Sequence, residues 1–124
     1  MPFDGVPEYP TLEERDLAVL RRVVDGLREE DSWVIGVYHM GTRHCAIGWL
    51  QNFATQHDIQ RIAGLYLVPA LPLPWSLFRP RPPEPTDVII KFNDRATHKR
   101  VLALFERAIR RAERRIRRAE RRSK

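Results

Sequence analysis

The chain has 124 residues, 43% of them apolar, and one cysteine, Cys45, which allows a single domain with a modest core and excludes an intrachain disulfide or a deep cleft between two domains. Its formal net charge of +6 is concentrated at one end: residues 95–124 carry thirteen Lys/Arg against three glutamates, a net of +10, and residues 1–94 are net −4. An acidic body, 1–94, and a basic segment, 95–124, are therefore expected, the latter as an interaction surface.

The opening stretch MPFDGVPEYP has neither a basic n-region nor an apolar h-region, so no secretory leader is expected. Together with the lone thiol, this points to the cytoplasm. Thr11 with Glu14 reads as a capping box, in which the hydroxyl accepts from an orphan N–H and the carboxylate reaches back. Behind it Leu17, Leu20, Val23, Val24 and Leu27 recur at helical spacing, with Arg21, Arg22, Asp25 and Arg28 opposite, predicting an amphipathic helix over 12–30.

From Trp33 to Leu50 the sequence is rich in aromatic and β-branched residues around a Gly41-Thr42 pair, which suits a two-residue II′ turn. A hairpin over 33–50 is predicted, pairing Met40 with Arg43, His39 with His44 and Tyr38 with Cys45. One face would carry Trp33, Ile35, Val37, Ala46 and Leu50, the other Val34, Tyr38, Ile47 and Trp49. Two apolar faces need cover on both sides, or a partner on one.

Thr55 with Asp58 caps a short helix ending at Gly64, and residues 65–68 could form a strand. Ile62 to Phe78 contains no charged residue and leads into a proline-rich loop, 69–85. Leu71, Trp75 and Phe78 would anchor a protein partner there, unless the loop folds back over its own core. The prolines argue against a membrane span, because they would leave backbone groups unpaired in lipid. DVIIKF, Asp87 to Phe92, reads as a buried strand. Asn93-Asp94 or Thr97 then starts the last helix, which runs to about Arg122. The fold class is α+β: a small, mostly antiparallel sheet (hairpin 33–50 plus strand 87–92) packed with the N-terminal helix and a long arginine-rich C-terminal helix, the first half of which lies on the body.

Leu102, Phe105, Ile109, Ala112, Ile116 and Ala119 are spaced as heptad a and d positions, so Ile109, Ala112, Ile116 and Ala119 could seam a parallel homodimer. Two buried isoleucines, at roughly 1.5–3 kcal/mol each, would not hold such a dimer unaided. Glu106–Arg110, Glu113–Arg117 and Glu120–Lys124 are candidate i,i+4 ion pairs. Three glutamates cannot neutralise Arg107, Arg110, Arg111, Arg114, Arg115, Arg117, Arg118, Arg121 and Arg122. That excess would attract nucleic acid or another polyanion. The segment has no Asn, Gln or aromatic residue among these arginines, so base reading should be weak.

Chemistry is harder to find. His39 and His44 with Cys45, His57 or Asp58 could be assembled into a metal site on paper, but adjacent residues of a strand point to opposite faces and no C-x-x-C or H-E-x-x-H spacing supports it. Cys45 falls in an apolar neighbourhood that would leave it inert. No catalytic residue, metal or cofactor is expected. The sequence predicts a small non-enzymatic polyanion-binding protein acting through its arginine helix. The alternative is a protein–protein adaptor, or an inhibitor-type partner, docking through the proline loop and hairpin.

Overall fold

A computed structural model describes residues 11–72 and 84–122. The Thr11 hydroxyl accepts from the Glu14 N–H at 3.1 Å, opening helix α1, Leu12–Leu27. The apolar stripe read from the sequence is its buried face, with Leu17, Leu20, Val23, Val24 and Leu27 all in the core. Asp16 shares that face at 1% exposure. Its carboxylate takes a two-pronged grip from Arg61, at 3.0 Å from Nε and 2.6 Å from Nη2. A buried carboxylate is tolerated only with such a partner. The same guanidinium lies 2.8 Å from Asp58, which also holds Arg15 at 3.2 Å.

The predicted hairpin is present only at its tip. Strands β1, His39–Met40, and β2, Arg43–His44, pair antiparallel in the predicted register, His39 with His44 and Met40 with Arg43. Gly41 has φ +63° and, among the described residues, no non-glycine residue has positive φ, Thr42 included, as a II′ turn requires. The rest of 33–50 is not strand. Ile35, Val37, Tyr38 and Met40 are exposed. From Ala46 the chain turns into helix α2, Ala46–Gln51, because Cys45 acts as its cap: its Sγ accepts from Gly48 N–H at 3.4 Å.

Thr55 caps helix α3, Gln56–Ile62, through a 3.2 Å bond from the Asp58 N–H to its hydroxyl. The chain does not stop at Gly64. It continues as a π-helical turn, Ala63–Leu67, and a 3-10 turn, Val68–Ala70, so the strand anticipated at 65–68 is absent. The strand expected at 87–92 is also a helix, α4, Pro85–Arg95. Pro85 occupies the first turn, where its missing N–H costs nothing. Thr86, Val88, Ile89, Phe92 and Asn93 are buried, while Asp87, Lys91 and Asp94 face outward. This is helical periodicity that a six-residue β-branched window disguises.

Thr97 caps helix α5, His98–Arg122, by accepting from the Arg100 N–H at 3.2 Å. The observed fold is thus mostly helical with a small two-stranded antiparallel sheet, an α+β layout in the coarse sense. Asn93 joins three segments. Its Oδ1 accepts from Trp33 Nε1 at 2.7 Å and from the Ala46 N–H at 3.0 Å, and its Nδ2 donates to the Val34 carbonyl at 3.2 Å.

This packing sets two expectations for stability. Asn93→Ala strands two donors, Trp33 Nε1–H and the Ala46 N–H, and one acceptor, the Val34 carbonyl, and should lower stability by about 2–4 kcal/mol. The check is a fall in the urea midpoint with an unchanged m-value. Gly26→Ala would gain about 1 kcal/mol on helix propensity alone. Here a Cβ would lie 2.2 Å from the Trp49 ring. That ring is held by its Nε1 bond to the Ser32 carbonyl at 3.0 Å and by stacking on Phe53. The substitution should therefore destabilise, by roughly 1–3 kcal/mol, the reverse of the propensity sign. Thermal unfolding of the variant reads that sign directly.

Candidate functional site

Helix α5 has 25 residues and extends about 37 Å. Val101, Leu104, Phe105, Ala108 and Ala112 are buried, so the apolar positions of its first half face the core. It runs antiparallel to α1. His98 Nε2–H donates to the Leu27 carbonyl, the last of α1, and its ring stacks on Trp33. Arg21 meets Glu113 at 3.1 Å, and Ile116 lies beside Glu14, Leu17 and Ala18. The residues proposed for a homodimer seam are thereby largely used within the chain: Ala112 is buried, Ile109 and Ile116 pack against the core, and Ala119 is only half-buried.

The ion pairs anticipated along α5 are replaced. Glu113 takes Arg21 of α1 instead of Arg117, and Glu106–Arg110 is not among the ion pairs of the described residues. The Glu120–Lys124 pair involves Lys124, which lies outside the described residues. Arg107 leaves the expected cationic face altogether: its Nε donates to the Ala70 carbonyl at 2.9 Å. Arg110, Arg114, Arg115, Arg117, Arg118, Arg121 and Arg122 are exposed and Arg111 is half-buried. Among the described residues no ion pair engages any of these eight.

One flank of this face is concave. Arg111, Arg114, Arg115 and Arg118 share a side of α5 and, with Leu65 and Tyr66 of the π-helical turn, line a pocket of about 190 Å³. Tyr66 is 2% exposed, and its hydroxyl has no hydrogen-bond partner among the described residues. Burial pushes the phenol pKa up, helped by the Asp16 charge, while Arg115 pulls it down. This pocket is invisible in a linear reading that places a strand at 65–68. The available signal was the helical spacing of Ile59, Ile62, Ala63, Tyr66, Leu67 and Ala70, all buried, with one polar tip among them.

The other predicted residues are placed differently. Leu71 is buried and so is not free to anchor a partner; Trp75 and Phe78 lie outside the described residues. His39 and His44 do meet, Nδ1 to Nδ1 at 2.7 Å. His39 Nε2 faces Gln51 Oε1 at 2.8 Å, and since that oxygen only accepts, Nε2 carries the proton. In the tautomer with its Nδ1 unprotonated, His39 accepts from His44 Nδ1–H, and these nitrogens serve each other. No group of three or more His, Cys, Asp or Glu able to hold an ion occurs among the described residues. Cys45 is buried, and burial raises its thiol pKa, an unfavourable setting for a nucleophile. No helix among the described residues is long and apolar enough to cross a membrane. In comparisons with known proteins the chain matches no family model, no curated protein and no solved structure.

The histidine pair carries a pH prediction. Burial and then the neighbouring His39 charge lower the His44 pKa. An NMR titration should find His44 protonating below the ordinary value of about 6.5, and His39→Gln should move it part of the way back. Because the folded pKa is the lower one, the unfolded chain takes up the proton first. Stability should decline as pH falls from about 6.5 through the folded pKa.

Proposed function

We propose that the chain is a non-enzymatic polyanion-binding protein that grips nucleic acid through the outward face of α5, with weak sequence preference. One observation carries the reading. Eight arginines stand on Arg110–Arg122, and among the described residues none of them is in an ion pair, although the body supplies an excess of acids. Guanidinium is always charged, is weakly hydrated and pairs with phosphate in a two-pronged fashion. The run rises about 18 Å, and duplex DNA offers roughly one phosphate charge per 1.7 Å of axis. Binding of this kind is driven by counterion release and is steeply salt-dependent. With no Asn, Gln or aromatic residue among these arginines, recognition rests on the backbone of the nucleic acid, not its bases. Because α1 occupies the apolar stripe as far as Ile116, we assign binding to the single chain; a homodimer would have to use the end of the helix around Ala119 or displace α1. A cytoplasmic setting suits the lone thiol.

A second reading, a protein–protein adaptor, draws on a different observation. Ile35, Val37, Tyr38 and Met40 form an exposed apolar run on the hairpin arm. Scattered apolar residues on a surface need no explanation, but a contiguous run is a common mark of a docking site.

Duplex DNA binding measured between low and high salt separates the readings. The parent chain should show a linear log–log decline. Replacing exposed Arg110, Arg117 and Arg121 with Ala should weaken binding at low salt by roughly tenfold or more and flatten the slope by about 0.9 for each phosphate no longer neutralised. Scrambling the DNA sequence should change little. Unaltered affinity and slope in the triple variant would remove the polyanion reading.

A further inference from the structure

We propose that the pocket between the π-helical turn and α5 is a seat for one phosphoryl group, with the Tyr66 hydroxyl as its buried donor and Arg111 and Arg115 as its principal cations. This rests on the polyanion reading but goes further, since it divides α5 into a diffuse outer face and one shaped site. Two unmet demands lie close together there: Tyr66 lines the pocket, and the Arg115 charge reaches its hydroxyl. Tyr66 is 2% exposed and its hydroxyl is without a partner among the described residues. Buried hydroxyls are nearly always hydrogen-bonded, so one without a partner among the described residues calls for an acceptor beyond them. Arg111, Arg114, Arg115 and Arg118 crowd positive charge around the same space, and no ion pair of the described residues involves any of them.

The nearby acids do not fill that role. Asp16, whose charge reaches the Tyr66 hydroxyl, is itself gripped through both oxygens by Arg61. Glu13 also acts on the hydroxyl, from the first turn of α1, but makes no ion pair to α5. Arg107 does not line the pocket; its Nε donates to the Ala70 carbonyl. A tetrahedral oxyanion meets both demands at once: one oxygen accepts from the phenol O–H, and the others accept two-pronged bonds from guanidiniums. The pocket's 190 Å³ and polar lining suit a single such group, not an apolar ligand. The phosphoryl group could be inorganic phosphate or the terminal phosphate of an oligonucleotide.

The test uses the full chain at constant ionic strength, with chloride replaced by inorganic phosphate, and reads arginine Nε–H and Tyr66 ring NMR shifts. The parent chain should saturate with phosphate. Tyr66→Phe removes only the hydroxyl, should fold at least as well, and should bind phosphate roughly tenfold more weakly. Arg111→Ala/Arg115→Ala should abolish saturation, while the charge-matched Lys91→Ala/Lys99→Ala, at two exposed cations away from the pocket, should stay within about twofold of the parent. A second arm compares 5′-phosphorylated with 5′-hydroxyl oligonucleotides. Preference for the phosphorylated form, lost in Tyr66→Phe, identifies a nucleic-acid end as the source; equal affinity, with phosphate still saturating, identifies the free ion. No saturation in the parent chain, or equal phosphate affinity in Tyr66→Phe, overturns the seat while leaving DNA binding by the outer face intact. Phosphate saturation without any oligonucleotide binding sinks the nucleic-acid reading and leaves the seat standing.

Discussion

The antiparallel docking of α5 on α1 governs the rest of the molecule. Leu17, Leu20, Val24 and Leu27 on one side, and Val101, Leu104, Phe105, Ala108 and Ala112 on the other, bury the apolar stripes of both helices. The helices are locked end to end by His98 on the Leu27 carbonyl and by Arg21 on Glu113. Once that stripe is committed, the opposite side of α5 can only face solvent or a partner. The fold therefore presents its arginines in a row on a helix packed against the body, which would lower the ordering cost of the polyanion binding we propose.

Where the acids go matters as much as where the arginines point. Several carboxylates of the body are engaged in local tasks. Asp16 and Asp58 hold Arg61 and Arg15, Asp25 pairs with Arg28, and Asp94 accepts from the Gly36 N–H at 3.0 Å. Only Arg21–Glu113 connects the charges of α1 and α5, and there the acid belongs to α5. Like charges left unpaired on a surface repel, but water and salt screen them, so a well-packed core can tolerate them.

Much of this was legible in the sequence because it obeys local rules. The Thr11 and Thr97 caps, the stripe of α1, the Gly41-Thr42 turn with its register, and the extent of α5 all follow from neighbouring residues. The misreadings share a cause. Val88-Ile89-Ile90 resembles a strand until Pro85, Thr86 and Asn93 widen the window and restore a helical period. Cysteine is not a usual cap, so α2 was hidden in an extended-looking run. The heptad spacing of Ile109, Ala112 and Ile116 specifies that some helix covers them, but not whether it is α1 or a second chain. Arg107 on Ala70, Arg61 on Asp16 and Tyr66 beside Arg115 join residues 37 to 49 positions apart, and no local pattern encodes such meetings.

The central claim is that α5 carries positive charge which the chain itself does not neutralise. Its most direct test is the thermal unfolding midpoint at near-neutral pH as NaCl is raised from about 10 to 200 mM, a range in which the screening length shrinks from about 30 Å to under 10 Å. Self-repulsion relieved by screening should raise the midpoint, and Arg114→Ala/Arg118→Ala should weaken that rise. A midpoint that falls with salt, or a rise unchanged in the double variant, would mean that the guanidiniums are already balanced within the fold, contradicting the account.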